Sequence, residues 1–312
     1  MAKPRRLFAH VLLYHAVNEN PALQQGAKLH NVSPDVLYQQ LSWIKQNFDV
    51  VDLDSLTQSD DREGKCSITF DDAYKCVFTN ALPVLESLSL PASVFVIGST
   101  LTGKTFWRDK IRILFEAGLV QEFIDWADSF CRACDLNAGN FYKQSKNPKV
   151  NSAQLDRLLS TFLEGRPEAV TGDWNLCVDE ACQLVDHPLL TLGNHTENHY
   201  VLASLSRSEQ VREIRRNAQL LRSLNKKTTR VFSVPFGGID SLVPDTCAIL
   251  ADEGYAALLL SRSRLNHEVE GPLTHIARFP ALERYMPVAS LTGFQRQVTE
   301  LIEDAEQRVR RS

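Results

Sequence analysis

Short apolar runs alternate with longer amphipathic segments along most of the chain. The runs have the length of buried strands, and the segments between them repeat apolar residues at the spacing of a helix face. Strands that alternate with helices build a largely parallel sheet, which is either open or closed into a barrel. The pattern therefore predicts an α/β fold with strands over residues 7–14, 49–53, 66–70, 92–97, 189–193, 230–234 and 256–260.

Two of the amphipathic segments begin with capping signals. Ser33 is followed by Pro34, a residue suited to the first position of a helix. Ser206 and Glu209 have the spacing of a capping box. We predict helices over residues 34–48 and 75–88, a helix after Ser206, and a polar, solvated helix from about residue 296.

The alternation stops over residues 99–175. Helical patterns follow one another there without an intervening strand, and a long polar stretch separates two of them. We interpret this region as a helical insertion on the rim of a single domain that spans residues 1–312, and as a lid or a wall of the substrate site. The helical patterns cover residues 110–117, 120–131 and 153–163.

The composition is that of an ordinary soluble globular protein: 44% of the residues are hydrophobic, 23% are charged, and the formal net charge is -4. The chain has no excess of basic residues that would indicate a nucleic-acid partner. The seven cysteines are scattered and form no disulfide framework, which is typical of a reducing compartment. We expect the protein to be cytoplasmic.

The first residues resemble a signal peptide, because basic residues precede an apolar run. However, His10, Tyr14 and His15 interrupt that run, and no small-x-small cleavage site follows it. We therefore interpret the run as the first strand. No apolar run has the length of a membrane span, so none is expected.

Chemically reactive or unusual residues follow four of the predicted strands. His15 follows the first, Asp71 and Asp72 follow the strand that ends at Phe70, and two histidines follow the strand that ends near residue 193. A Pro-Phe-Gly-Gly segment follows a fourth. Because parallel strands in a barrel direct their carboxyl ends to one face, we expect these residues to converge.

Two histidines four positions apart, together with one carboxylate, provide the three protein ligands of a catalytic zinc or related divalent site. The other aspartate of the pair could then act as a general base. Each motif alone has an ordinary explanation: histidine pairs arise by chance, and an Asp-Asp pair often forms a turn or a helix cap. Their combination at the ends of predicted strands favours a metal site.

At these residues the sequence resembles the polysaccharide deacetylases of the NodB-homology type, carbohydrate esterase family 4. The family's Thr-Phe-Asp-Asp motif corresponds to residues 69–72, and its His-Ser/Thr-x-x-His motif corresponds to residues 195–199. Its third motif, an aromatic segment that ends in Pro-Phe/Tyr-Gly, corresponds to residues 232–237. The resemblance covers most of residues 7–100 and 176–280 and leaves the insertion unexplained.

The resemblance implies a distorted (β/α) barrel of seven strands and a hydrolase that removes N-acetyl groups from a sugar or glycan precursor, releasing acetate. It implies that Asp72, His195 and His199 bind a divalent metal, most often Zn2+, and that Asp71 is the general base. A general acid would protonate the leaving amine.

Substrate contacts follow from the same resemblance. The main chain near Tyr74 would hold the oxyanion of the reacting carbonyl. The third-motif residues Pro235, Phe236 and Gly237 would border the substrate. Trp107, in the insertion, is the tryptophan that we would place against a sugar face.

The sequence departs from the family pattern at two positions: the arginine that orients the catalytic aspartate and the histidine that acts as general acid. Ser233 and Val234 stand where the family carries an arginine that orients the catalytic aspartate; we expect Arg278 to replace it, with Arg108 as the alternative. The family's late general-acid histidine has only a poor match, at His275. A subgroup that acts on extracellular poly-N-acetylglucosamine carries the acid histidine on the first strand, and "LLYHAV" resembles that arrangement, so we assign the acid to His15.

Three functions remain open from the sequence. The first is the sugar N-deacetylase. The second is a hydrolase of related machinery that opens cyclic amides or imides, such as allantoin-like rings. The third is a non-catalytic carbohydrate-binding relative, which the absent third-motif arginine suggests. For His15, the alternative to the role of general acid is that of an ordinary core histidine at the end of a strand.

Overall fold

The computed structural model describes residues 8–19, 30–59, 62–170, 174, 176–266 and 279–310. The strands in these ranges are β1 (His10–Tyr14), β2 (Ala16–Val17), β3 (Asn31–Val32), β4 (Asp49–Val50), β5 (Lys65–Phe70), β6 (Ala92–Val96), β7 (Leu190–Asn194), β8 (Thr228–Ser233), β9 (Ala257–Leu260) and β10 (Ala281–Glu283). The helices are α1 (Pro34–Asn47), α2 (Leu53–Gln58), α3 (Leu82–Leu88), α4 (Trp107–Glu116), α5 (Val120–Trp126), α6 (Asp128–Ala133), α7 (Phe141–Gln144), α8 (Ser152–Glu164), α9 (Arg207–Ser223), α10 (Pro244–Asp252) and α11 (Leu291–Val309).

Seven strands form one parallel sheet in the order β1-β5-β6-β7-β8-β9-β10, and β4 adds to the start of β5. The two ends of this order approach each other, because Leu12 of β1 forms a parallel bridge with Tyr285, two residues after β10. The sheet is therefore nearly closed into a distorted (β/α)7 barrel. The predicted α/β fold is confirmed.

Most strand residues are buried, as expected where helices cover a parallel sheet, although the start of β8 is partly exposed. All five residues of β1 and all five of β6 are buried. The helices pack their apolar faces on the outside of the sheet; α1, for example, buries Leu37, Leu41 and Ile44. This packing fixes the strand ends at which the reactive residues lie.

The predicted helix starts are confirmed by their capping geometry. Ser33 accepts a hydrogen bond from the backbone N–H of Val36, and Pro34 opens α1. Ser206 and Glu209 form a reciprocal capping box at the start of α9.

Some boundaries differ from the prediction. The expected strand over 49–53 is only β4, because the Asp52 side chain caps α2 immediately afterwards. The pattern at 120–131 forms two helices that meet at Ala127. The helix expected from residue 296 begins at Leu291, and it is not simply solvated, since it buries a stripe of four residues. These are Phe294, Val298, Ile302 and Ala305.

Helices α4 to α8 lie between β6 and β7, where the sequence predicts a helical insertion. They pack on one another, α4 against α8 and α5 against α6 among them. Within the described part of the chain, no helix is both long and apolar enough to cross a membrane.

Candidate active site

The carboxyl edge of the barrel gathers residues from distant parts of the chain. Asp71 and Asp72 follow β5, His195 follows β7, and Ser233 is the last residue of β8. Arg284 follows β10 directly. The parallel arrangement brings these strand ends to one face, as the strand pattern predicts.

Asp72, His195 and His199 form the cluster that the sequence indicates as a metal site. The Asp72 Oδ1 atom lies 3.5 Å from Nε2 of His195 and 3.4 Å from Nε2 of His199. One ligand atom from each of the three residues lies within 4.8 Å of the others, and all three residues are buried.

This donor set fits a zinc-like ion. Zinc bonds of about 2.0–2.1 Å in a tetrahedral arrangement separate neighbouring ligand atoms by roughly 3.3 Å, close to the observed oxygen–nitrogen distances. Asp72 Oδ1 is buried and has no hydrogen-bond partner among the described residues. A buried carboxylate oxygen without a donor is costly unless a cation faces it.

The hydrogen bonds of His195 direct its other nitrogen into the site. Its Nδ1–H donates to the carbonyl oxygen of Ser233 at 2.9 Å, which leaves Nε2 with a lone pair toward Asp72. Burial and the neighbouring His195 lower the pKa of His199 to about 3, so its imidazole is neutral, the form that ligates a metal.

Asp71 has a different set of partners from Asp72. Arg284 donates from Nη1 and Nη2 to the two carboxylate oxygens of Asp71, each at 2.8 Å. The hydroxyl of Ser233 donates to Asp71 at 3.0 Å and accepts from Arg284 at 3.0 Å. Burial raises the pKa of the Asp71 carboxyl, but the Arg284 guanidinium and His195 outweigh it and hold the pKa below its ordinary value.

Arg284 is the residue that sequence reasoning missed. It makes the contact with the aspartate that we predicted for Arg278, which lies outside the described residues, as does His275. Arg284 is completely buried, and the small Ser233 at the family's arginine position leaves space for it. The sequence feature that could have revealed Arg284 is its position at the end of a short apolar segment, "PALER", which we do not predict as a strand.

Left-handed backbone conformations concentrate at this face. Nine described residues other than glycine have a positive φ, and five of them lie in the loops of the site. Such residues cost of order 1–3 kcal/mol each and persist where the surrounding structure imposes them. The five are Asp72, Ala73, Thr196, His199 and Phe236.

Helix α9 braces the loop that carries the two histidines. Glu213 accepts from the backbone N–H and the side-chain amide of Asn198, at 2.8 and 2.7 Å. Asn217 donates to the side chain of Asn194, which in turn accepts from the N–H of Thr196. The histidine loop is therefore held by buried polar contacts rather than by packing alone.

A cavity of about 220 Å³ opens directly over the cluster. His15 lines it from the end of β1, with Nδ1 free of hydrogen bonds among the described residues, and its ring lies 5.2 Å from that of His30. Burial lowers the pKa of His15, and the Asp72 and Asp71 carboxylates oppose that shift. Phe236 of the third motif also lines the cavity.

The other predicted contact residues have mixed positions. Tyr74 borders the cavity, and its backbone N–H has no acceptor among the described residues. Pro235 and Gly237 are buried in the turn beside Phe236. Trp107 does not line this cavity: the side chain is 1% exposed, donates to the carbonyl of His199 at 3.0 Å, and borders a second cavity.

The nearly closed barrel, with an Asp-His-His cluster and a second, arginine-held aspartate at its carboxyl edge, defines a class of barrel hydrolases suited to a divalent ion. The sequence profile of the polysaccharide deacetylases matches residues 58–123 and 151–258, more than half of the chain. The chain therefore belongs to the polysaccharide deacetylase family, and it is by class a carbohydrate deacetylase. No curated protein sequence matches it.

Several solved structures share the fold. The deacetylase PplD of Streptococcus pyogenes, solved in complex with acetate, is 17% identical with a TM-score of 0.55, over 94% of this chain and 98% of that one. IcaB from Ammonifex degensii is 16% identical with a TM-score of 0.56, over 95% and 97%. A de-N-acetylase from Aggregatibacter actinomycetemcomitans is 13% identical with a TM-score of 0.57, over 93% and 99%.

Proposed function

We propose that the protein is a metal-dependent N-deacetylase that hydrolyses the acetamido group of a sugar or glycan precursor and releases acetate. The observation that carries the proposal is the orphaned oxygen of Asp72 facing two histidine nitrogens at 3.5 and 3.4 Å, beside the separately held Asp71. A structural relative described as a de-N-acetylase and one solved with acetate support the same reaction.

Asp72, His195 and His199 would hold the ion, and two nitrogens with one oxygen favour Zn2+. A bound ion of this kind supplies Lewis acidity and makes water a better nucleophile.

The chain's own residues would handle the protons. Asp71, fixed by Arg284 and ionised, would accept a proton from the attacking water. The N–H of Tyr74 would donate to the carbonyl oxygen as it gains charge. His15, on the same cavity wall, would give a proton to the leaving amine.

The test compares zinc-loaded and chelator-treated protein for acetate release from N-acetylated sugars. We expect release only from the loaded protein. Asp71→Asn should keep the zinc and turn over about a hundredfold more slowly or worse, whereas Asp72→Asn should lose the zinc. The exposed Asp186→Asn is the matched control and should change neither quantity. Loss of zinc in Asp71→Asn and retention in Asp72→Asn would mean that Asp71 is the metal ligand and Asp72 the general base.

The same assay separates the other functions that the sequence leaves open. Ring opening of an allantoin-like substrate without acetate release would favour the cyclic amide hydrolase. Stoichiometric zinc with no turnover of either substrate would favour a binding relative. The missing third-motif arginine, which suggested that last function, has a replacement in Arg284.

A further inference from the structure

The insertion contributes a buried arginine to the catalytic cavity. Arg108 of α4 is 4% exposed and lines the cavity together with Asp71 and Asp72. Its Nη1 donates to Ser145 Oγ at 2.7 Å, and its Nη2 donates to the carbonyl oxygen of Tyr142 at 3.0 Å. Both acceptors are neutral, and within the described ranges no carboxylate forms an ion pair with Arg108.

A lysine from the same region stands beside it. Lys146, just after α7, lines the same cavity, and its Nζ lies 6.0 Å from the centre of the Phe236 ring. The Cζ of Arg108 lies 5.9 Å from that ring, and the ring lies 4.7 Å from the ring of His199. The two cations and a proposed metal ligand thus lie around the same aromatic ring.

The other charged groups of the cavity are already balanced. Asp71 is paired with Arg284, and Arg112 is paired with Asp109. Asp72 belongs to the proposed ion site, where a divalent cation would exceed its charge. Among the described residues of this partly enclosed space, Arg108 and Lys146 are therefore surplus positive charge.

A buried guanidinium without a counter-charge is unfavourable. The rings of Trp107, Tyr142 and Phe236, whose centres lie 4.9, 4.7 and 5.9 Å from the Arg108 Cζ, and two neutral oxygens compensate only part of that cost. Burial lowers the pKa of Arg108 to about 10, which still leaves it charged at neutral pH. A ligand that brings a negative charge would complete the site.

We propose that the cavity binds substrates with an oxyanion group, a phosphate or a carboxylate, adjacent to the acetamido sugar, and that Arg108 and Lys146 bind this group. The planar guanidinium is suited to two-pronged contacts with either oxyanion, and the lysine adds a flexible charge at the entrance. The placement of the acetamido group rests on the proposed function; the binding of the anion does not.

The test is calorimetric titration of zinc-loaded and metal-free protein with N-acetylglucosamine 1-phosphate, N-acetylglucosaminuronic acid and neutral N-acetylglucosamine. We expect at least one anionic sugar to bind about tenfold more tightly than the neutral sugar, or better, in both metal states. The two anionic ligands distinguish a phosphate from a carboxylate site.

Two variants and a control test whether Arg108 and Lys146 cause the preference for the anionic sugar. Arg108→Gln should remove the preference for the anionic sugar, and Lys146→Gln, at an exposed position that does not endanger folding, should reduce it severalfold. Lys143→Gln, the same change on the exposed side of α7, should leave the preference intact. Thermal unfolding identifies an Arg108 variant that fails to fold, in which case Lys146→Gln decides.

Several results would overturn the proposal. They are equal affinity for neutral and anionic sugars, no measurable binding of either anion at millimolar concentration, a preference that is undiminished in both variants, and a preference that exists only with zinc. Because the measurement is of binding, a preference without acetate release from any sugar would refute the proposed function and leave the anion site standing.

Discussion

The two adjacent aspartates have different environments at this site, because each faces a different partner. Asp72 has a φ of 68°, a turn conformation that directs its side chain to the two histidines. Asp71 instead meets a guanidinium and a hydroxyl. The repulsion expected between neighbouring buried carboxylates is thereby offset by two different cations, one from the chain and one that the donor set is suited to bind.

The two-pronged contact between Arg284 and Asp71 leads to a first prediction. Arg284→Lys keeps the charge but loses the planar pair of hydrogen bonds, so Asp71 should no longer be held in one orientation. We expect turnover to fall by about 10- to 100-fold while the zinc content is unchanged. Steady-state kinetics and metal analysis on the same preparation measure both.

Arg262→Lys is the matched control, because Arg262 makes a comparable contact with Glu283 beside the same strand but does not line the cavity. Full activity in Arg284→Lys, or an equal loss of turnover in Arg262→Lys, would show that turnover does not depend on the orientation in which Arg284 holds Asp71.

Some residues of the site were predictable and others were not. The proposed ligand residues and Asp71 lie in contiguous motifs directly after strongly apolar strands, so local sequence reveals them. Arg284 lies 213 residues from Asp71 and belongs to no motif, and only the closure of the barrel brings the two together. The burial of Trp107 was not predictable, because it depends on how α4 packs against the histidine loop.

Among the elements, α9 couples the surface of the barrel to the histidine loop through Glu213. Burial raises the pKa of Glu213 from the ordinary 4.5 to about 7. Between these values the folded protein keeps a proton that the unfolded chain has released, so the free energy of unfolding falls as pH rises through this window.

The side chain of Glu213→Gln cannot titrate, so the free energy of unfolding of this variant should not fall for this reason as pH rises. Across the window, the free energy of unfolding of the variant relative to wild type should rise by up to about 1.4 kcal/mol per pH unit. Urea denaturation at several pH values, with a chelator present, measures the difference. The exposed Glu300→Gln should show no such trend, and a pH-independent difference for Glu213→Gln would contradict the assignment.

Helix α11 shows how an element can be predicted and its environment misjudged. Its polar composition suggested a solvated helix, yet Phe294 is completely buried and its ring lies 5.7 Å from that of Trp43 in α1. The apolar stripe is narrow, and only the tertiary arrangement shows that a partner helix covers it. The strand β10 escaped prediction for a related reason, since three residues are too few to reveal a period.

Phe294→Ala should therefore lower the free energy of unfolding by about 3–5 kcal/mol, because it leaves a cavity between α11 and α1. Chemical denaturation measures the change. Arg296→Ala, two positions away on the exposed face, should stay within about 0.5 kcal/mol of wild type. Equal stability of the two variants would mean that α11 does not pack as described.

For the whole molecule, the proposed ion site ties the segment after β5 to the segment after β7. A ligand that binds only the folded chain stabilises it, by about 2.7 kcal/mol at a concentration of one hundred times Kd. We expect zinc to raise the midpoint of thermal unfolding. His199→Ala should abolish this increase, whereas His187→Ala, at a histidine remote from the cavity, should preserve it. An unchanged midpoint in wild type would argue against a folded-state zinc site.

The position of Arg284 after the last strand has a consequence for biosynthesis. Asp71 leaves the ribosome about two hundred residues before the guanidinium that will hold it. A nascent chain can assemble most of the sheet and still have no oriented base, until its C-terminal strand emerges and docks against the first. The proposed base thus becomes oriented only after β10 has been synthesised and has docked beside β1.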